Sequence, residues 1–169
     1  MNLRRAKAED APRLAKIHVD SWQAAYQGIV PGNYLQGFTV QKREGAFRRA
    51  IESGMEETYL LEEEGHAVAI LTIGLSLDED LNTGSIGVIW GIYIAPSHWR
   101  HGIGRMLVGE AEKLLLDRGY QEIVLWVLED NMKARYFYEA MGYHQDGASK
   151  IVNLGQPLKV VRYAKKIAD

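Results

Sequence analysis

Ile92-Tyr93-Ile94-Ala95-Pro96-Ser97-His98-Trp99-Arg100-His101-Gly102-Ile103-Gly104-Arg105 is the stretch on which the reading of this chain turns. A strand closes at Pro96, the chain turns, and two glycines open a helix. Glycines let an anion approach the backbone, and the free amides and dipole of a helix start favour negative charge. Arg100, His101 and Arg105 add cationic or donor capacity around the turn. A phosphate or pyrophosphate site is the natural inference. Taken alone, the stretch is explained nearly as well by a Gly-rich turn chosen for tight packing. The dinucleotide fingerprint is excluded, because it needs glycine where Leu107 stands. The P-loop is excluded too, since Gly-Lys-Ser/Thr never occurs.

Working outward, Ser85–Ala95 reads as one long strand, with Ile86, Val88, Trp90, Ile92 and Ile94 expected on a shared face. The helix that follows is expected over Gly102–Arg118, burying Ile103, Leu107, Ala111, Leu114 and Leu115, with Gly119 past its end. Ile123–Leu128 is a buried strand, Asn131–Met141 a short helix, and Tyr143–Val152 with Leu158–Lys165 a closing hairpin. Toward the N-terminus, Thr58–Glu63 and His66–Leu75 form a hairpin across Glu64-Gly65, and a turn is expected at Asn82-Thr83-Gly84. The chain opens with a strand over Asn2–Ala6 and a helix from Glu9-Asp10, which carries Leu14, His18, Trp22 and Tyr26 on one ridge. Gly28 and Pro31-Gly32 break that helix, and a second helix spans Val40–Glu52. The order β-α-α-β-β-β-α-β-α-β-β describes an α+β fold: a mostly antiparallel sheet with one right-handed parallel crossover in its middle.

The chain has 169 residues and is expected to form a single domain over residues 1–169. Twenty Lys and Arg against 22 Asp and Glu give a net charge of -2, which offers no support for nucleic acid or membrane-surface partners. The absence of Cys excludes disulfides, thiolate nucleophiles and sulfur-ligated metals. His98 and His101 stand three apart without further ligands, so no metal is expected. With no apolar run of ~18 residues and no signal-like start, a cytoplasmic protein is expected.

Two separated blocks resemble the GNAT superfamily of N-acetyltransferases. The first is Ile92-Tyr93-Ile94-Ala95-Pro96 followed by Trp99-Arg100-His101-Gly102-Ile103-Gly104, which resembles the family's strand and R/Q-x-x-G-x-G/A turn; Trp99 departs from Arg or Gln. The second is Asn131, Ala134, Phe137-Tyr138 and Gly142-Tyr143, similar to the family's N-x-x-A-x-x-x-Y and G-F/Y. The resemblance covers most of the chain and implies a sheet whose central parallel strands splay apart. It implies acetyl-CoA as donor, with its pantetheine against Ile92, Tyr93 and Ile94 and its diphosphate on the turn from Trp99 to Arg105. It further implies that Asn131 bonds the pantetheine arm, that small Ala134 lets the arm pass, and that Tyr138 faces the thioester sulfur. Asn131 also suits a helix cap, and both roles can hold together.

The reaction so implied is direct attack of an amine, from a small molecule or a peptide, on the acetyl carbonyl. A lysine-like amine near ~10.4 costs roughly 4–5 kcal/mol to deprotonate at pH 7, and an α-amine near ~8 far less. The strand over 85–95 holds no Asp or Glu, so the candidate bases are Asp78, Glu79, Asp80 and Glu129, acting through water. A phenol near ~10 is a weaker acid than a thiol near ~8.5, so Tyr138 is expected to stabilise the leaving thiolate by a hydrogen bond before any late proton transfer. Trp22, Tyr26 and Tyr34 are candidate walls of the acceptor pocket; a purely core role for the ridge fits its spacing as well. The rival reading is a catalytically silent domain that binds acyl-CoA as a sensor. The closing hairpin offers a sheet edge on which a homodimer could form.

Overall fold

The computed structural model describes residues 1–82 and 84–169; Thr83, in the turn expected at 82–84, lies outside the described residues. Among the described residues the strands are β1 (Asn2–Arg5), β2 (Glu56–Glu63), β3 (His66–Leu75), β4 (Ile86–Ile94), β5 (Glu122–Leu128), β6 (His144–Asn153) and β7 (Pro157–Lys166). They form one sheet in the order β1-β2-β3-β4-β5-β7-β6. Every neighbouring pair is antiparallel except β4 and β5. The helices are α1 (Ala11–Ala25), α2 (Gly32–Gly37), α3 (Val40–Ser53), α4 (Ile103–Asp117) and α5 (Met132–Ala140). The mixed α+β class and the order of elements are as the sequence implies, with α2 added.

The addition has a local cause. Pro31 presets an extended backbone at the start of α2, and its carbonyl accepts the N–H groups of Tyr34 and Leu35 at 3.0 and 3.1 Å. The same Pro-Gly pair that ends a helix therefore begins the next one. Buried Leu35 then packs with Val30, Leu128 and Val160, which offsets the low helix propensity of a segment bounded by glycines.

Helices cover both faces of the sheet. On one face Ile103, Leu107, Ala111 and Leu115 of α4 bury against Leu61, Leu71, Ile89 and Leu125, with Phe137 and Tyr138 of α5 packed at the margin. On the other face Leu14 and Ala15 of α1 and Phe47 of α3 close over Leu60 and Ile70. At the start of α1 the Asp10 carboxylate accepts both Arg4 guanidinium nitrogens at 2.8 Å and the Lys7 N–H at 2.8 Å. These bonds hold Asp10 at about 2, well below an ordinary carboxylate.

Strand β4 corrects the sequence reading. Thr72 lies opposite Gly91 and Ile73 opposite Ile89, so Trp90 is an extra residue, a β-bulge. One added residue inverts the side-chain alternation. Ile86 and Val88 pack with Val124 and Ala164, whereas Ile89, Ile92 and Ile94 turn to the α4 face. Tyr93 turns instead to the α1 face, against the cluster that holds Leu14 and Phe47. The five residues expected on a single face are thus divided by the bulge.

Beyond the bulge the sheet opens. Strands β4 and β5 pair only over Ile86–Val88 and Glu122–Val124. The rest of β5 pairs with β7, leaving Ile89–Ile94 with β3 alone as a neighbour. The Ala95 N–H bonds the Val68 carbonyl at 2.9 Å, which sets the alternation of β4. The N–H and C=O groups of Ile92 and Ile94 therefore point into the gap.

Candidate active site

A cavity of about 760 Å³ occupies the gap between the splayed strands. Ile92, Tyr93, Ile94, Trp99, Arg100, Gly102, Ile103, Gly104, Arg105, Asn131, Ala134 and Tyr138 all line it, and so do Trp22 and Tyr26. His101 and Tyr34 do not. His101 is exposed on the turn, and Tyr34 packs over Gly155, where an added Cβ would meet the Tyr34 Cβ at 2.7 Å.

At one end of the cavity the turn presents bare backbone. Arg100 and Gly102 have positive φ, 64° and 80°, and Gly102 caps α4 with no side-chain hydrogen bond. The first bond of the helix runs from the Met106 N–H to the Gly102 carbonyl at 3.1 Å. The amides of Ile103, Gly104 and Arg105 are left without intrahelical acceptors at the positive end of the dipole. Arg100 and Arg105 line the cavity beside these amides, so donors and positive charge are gathered at this end of it. A Cβ on Gly104 would come within 3.2 Å of Phe137 Cζ and 3.6 Å of Ile94 Cδ1, so glycine keeps the turn close to the strand.

Trp99 has a job of its own. Its indole N–H donates to the Ile94 carbonyl at 2.8 Å, tying the turn back onto the strand end. The motif position that departs from Arg or Gln is therefore occupied by a structural tie. The two strand glycines also differ in purpose. A Cβ on Gly91 would sit 2.5 Å from Tyr93 Cε2, so its absence lets the Tyr93 ring fold back over the strand. A Cβ on Gly87 would meet Leu115 Cδ2 at 2.8 Å, a packing requirement of α4.

Helix α5 supplies the opposite wall. Asn131 Oδ1 accepts the Ala134 N–H at 3.3 Å, capping the helix and leaving its amide nitrogen as a donor. Asn131, Ala134 and Tyr138 share the helix face that lines the cavity. Burial, reinforced by the nearby Tyr93 phenol, pushes Tyr138 above its ordinary value. Burial does the same to Tyr26 and Tyr93.

The candidate bases do not line the cavity. Asp78 accepts from Arg162 at 3.2 Å and from the Trp126 indole at 3.0 Å. Asp80 takes a two-pronged pair with Arg162 at 2.6 and 2.8 Å, and Glu129 pairs with Lys159 at 3.0 Å. Glu79 is exposed. Among the described residues no group of three or more His, Asp or Glu side chains could hold a metal ion.

Sequence reasoning missed an aromatic nest on the α1 side. His18 is buried among Trp22, Phe38, Phe47 and Tyr93, with ring centroids 4.2 to 5.5 Å away. Its Nδ1 accepts the Arg43 Nε–H at 3.2 Å, while Nε2 is buried without a partner. Burial first, and then the Arg43 charge, push the imidazole down to about 3. Trp90 and Trp126 also line the cavity and were not singled out. Trp90 owes its place to the bulge, which no alternation pattern announces. Trp126 reads as one more residue of a buried strand.

The family model described as "Acetyltransferase (GNAT) family" matches residues 7–143. The chain is 30% identical over 140 residues to the uncharacterised N-acetyltransferase YuaI of Bacillus subtilis, covering 83% of this chain and 78% of that protein. It is 24% identical over 156 residues to the spermidine N(1)-acetyltransferase of Thermoplasma acidophilum, covering 85% of this chain and 88% of the relative. Among solved structures, the PaiA N-acetyltransferase of Thermoplasma acidophilum in complex with coenzyme A superimposes with a TM-score of 0.76 at 19% identity, over 98% of both chains. The protein YncA of Salmonella typhimurium, solved with its cofactor acetyl-CoA, gives 0.73 at 17% identity over 100% of this chain and 95% of that one. On the strength of the family match and of this splayed sheet, the chain belongs to the GNAT family of acetyltransferases.

Proposed function

We propose that residues 1–169 act as a single domain that transfers the acetyl group of acetyl-CoA to a primary amine by direct attack. The observation that carries the reading is the convergence of three features on one cavity. These are the unpaired edge of β4 at Ile92 and Ile94, the bare amides of the α4 turn, and the Tyr138 phenol. An extended pantetheine adds to the strand edge as a further strand would, with the Ile94 carbonyl already taken by Trp99. The amides at 103–105, with Arg100 and Arg105, take the diphosphate.

Acetyl-CoA supplies an activated acyl carbon and a thiol leaving group. The Ile94 N–H, facing the gap, is placed to polarise the thioester carbonyl. A new N–C bond forms as the C–S bond breaks; the amine gives one proton to solvent, and the sulfur departs as thiolate and takes one proton back from solvent, leaving the thiol. Tyr138, held protonated by burial, donates a hydrogen bond to that sulfur. With Asp78, Asp80 and Glu129 engaged in ion pairs, deprotonation rests on solvent, which favours an acceptor of modest basicity.

The test combines two measurements on the full-length protein. Calorimetry with acetyl-CoA is expected to show binding, and thiol release is expected when amines are added. Binding with no release from any amine identifies a silent acyl-CoA sensor and overturns the reading.

A further inference from the structure

Two opposite charges stand without partners on the α1 face of the sheet, near the β4 bulge. Arg43 of α3 is fixed by its surroundings. Its Nε–H donates to His18 Nδ1 at 3.2 Å, and its guanidinium lies 5.2 Å from the centre of the Phe38 ring and 5.5 Å from that of Phe47. Among the described residues its two terminal nitrogens make no hydrogen bond and no ion pair. A guanidinium held by its inner nitrogen presents its outer fork, the shape that takes a carboxylate on two points. Glu56 opens β2 and, by alternation, shares the α1 face with Leu60. It is half-buried, and among the described residues its carboxylate also lacks a hydrogen bond and an ion pair. Burial raises it above its ordinary range while Arg43 opposes the rise, so the two charges feel each other from beyond ion-pair distance.

Both charges border the cavity. Phe38, under Arg43, stacks at 4.3 Å on Trp22, which lines it. On the other side, a Cβ on Gly74 would sit 3.0 Å from the Trp90 indole nitrogen and 3.7 Å from the Glu56 Cα, and Trp90 lines the cavity too. Burial raises the Tyr93 phenol, folded over Gly91, and Arg43 and Glu56 bear on it with opposite sign. The Trp22 indole N–H is buried near that phenol without reaching hydrogen-bond geometry. Buried polar groups are normally satisfied, and a cation and an anion in electrostatic reach ordinarily close into one pair. Their separation leaves a slot whose two ends call for opposite charges. Trp90 is 41% exposed, so the slot opens to solvent.

Resting on the N-acetyltransferase reading, we propose that the acceptor is a free amino acid, its carboxylate on the Arg43 fork and its amine on the Glu56 side, toward Trp90 and the gap. His18 is then a positioning residue that aims Arg43. An α-ammonium is a stronger acid than a lysine-like one, which suits deprotonation by solvent. Once acylated, the nitrogen no longer carries charge for Glu56, and the product leaves more readily than the substrate.

The probes are the standard amino acids, supplied singly at saturating acetyl-CoA with thiol release as the readout. The fastest is compared with the amine that lacks its carboxylate. The amino acid is expected to exceed that amine in kcat/KM by about tenfold or more. The pair also differs in basicity, so Arg43→Gln decides the cause: the ratio is expected to collapse severalfold, with acetyl-CoA binding in the calorimeter unchanged. Should that variant fail to fold, Arg43→Lys, which keeps the charge and loses the fork, gives the same comparison. Glu56→Gln is expected to lower kcat/KM for the amino acid by about tenfold. The proposal is overturned if the decarboxylated amine matches the amino acid, if the Arg43 variants leave the ratio where it was, or if Glu56→Gln changes nothing. Thiol release with other amines but with no amino acid overturns it as well. Release with no amine of any kind overturns the transferase reading instead, so the two failures are told apart.

Discussion

Two residues of the cavity region carry opposite consequences of burial. Tyr138 is a phenol pushed up, and so stays a donor across any working pH. Tyr138→Phe keeps the ring and its packing against Phe137 and Tyr143, at 5.1 and 5.9 Å, and removes only the donor. Turnover is expected to fall about 100-fold, with acetyl-CoA affinity unchanged by calorimetry. An unchanged turnover number would remove Tyr138 from the reaction. His18 is an imidazole pushed down to about 3, so the folded state refuses a proton that the unfolded chain accepts near 6.5. Its contribution to stability is therefore complete above about pH 6.5 and shrinks as the pH falls, by about 1.4 kcal/mol per unit. His18→Gln retains an acceptor for Arg43 and does not titrate. Between pH 7 and 5 its unfolding free energy in urea is expected to drop by about 2 kcal/mol less than that of the parent chain.

At the scale of elements, the β4 bulge decides which residues meet the cavity. Deleting Trp90 would restore unbroken alternation and send Ile92 and Ile94 to the α1 face and Tyr93 to the α4 face. Loss of the near-ultraviolet circular dichroism of a packed core is the expected result; a natively packed deletion variant would show that the extra residue is dispensable. The bulge also marks where the sequence stopped being legible. The turn at Trp99–Arg105 could be read because glycines, a proline and a helix start each leave a compositional trace. The face of α5 could be read because Asn131, Ala134 and Tyr138 keep helical spacing. An extra residue inside an apolar strand leaves no such trace. Helix α2 was hidden for a different reason: Pro31-Gly32 ends one helix and begins another, and propensity does not distinguish the two. The ridge Leu14-His18-Trp22-Tyr26 was legible as a ridge but not as to use, since one helix face runs from the core at Leu14 to the cavity at Trp22 and Tyr26.

Across the whole molecule, Arg162 is the junction. Its side chain, 5% exposed, on β7 reaches Asp78 and Asp80 in the β3–β4 loop and Asp146 on β6. Arg162→Met would leave three carboxylates facing one another with no cation between them. A loss of about 3 kcal/mol in unfolding free energy is expected from urea melts; a loss under about 1 kcal/mol would reduce the cluster to surface decoration. That strap lies where the sheet is weakest, for only three residues of β4 are laddered to β5. The sheet is consequently two plates, one of four strands and one of three, riveted along a short seam and prised open above it. Any ligand that lodges between them bridges both plates and binds only the folded chain, so under the proposed function the supply of donor and the resistance to heat become one coupled property.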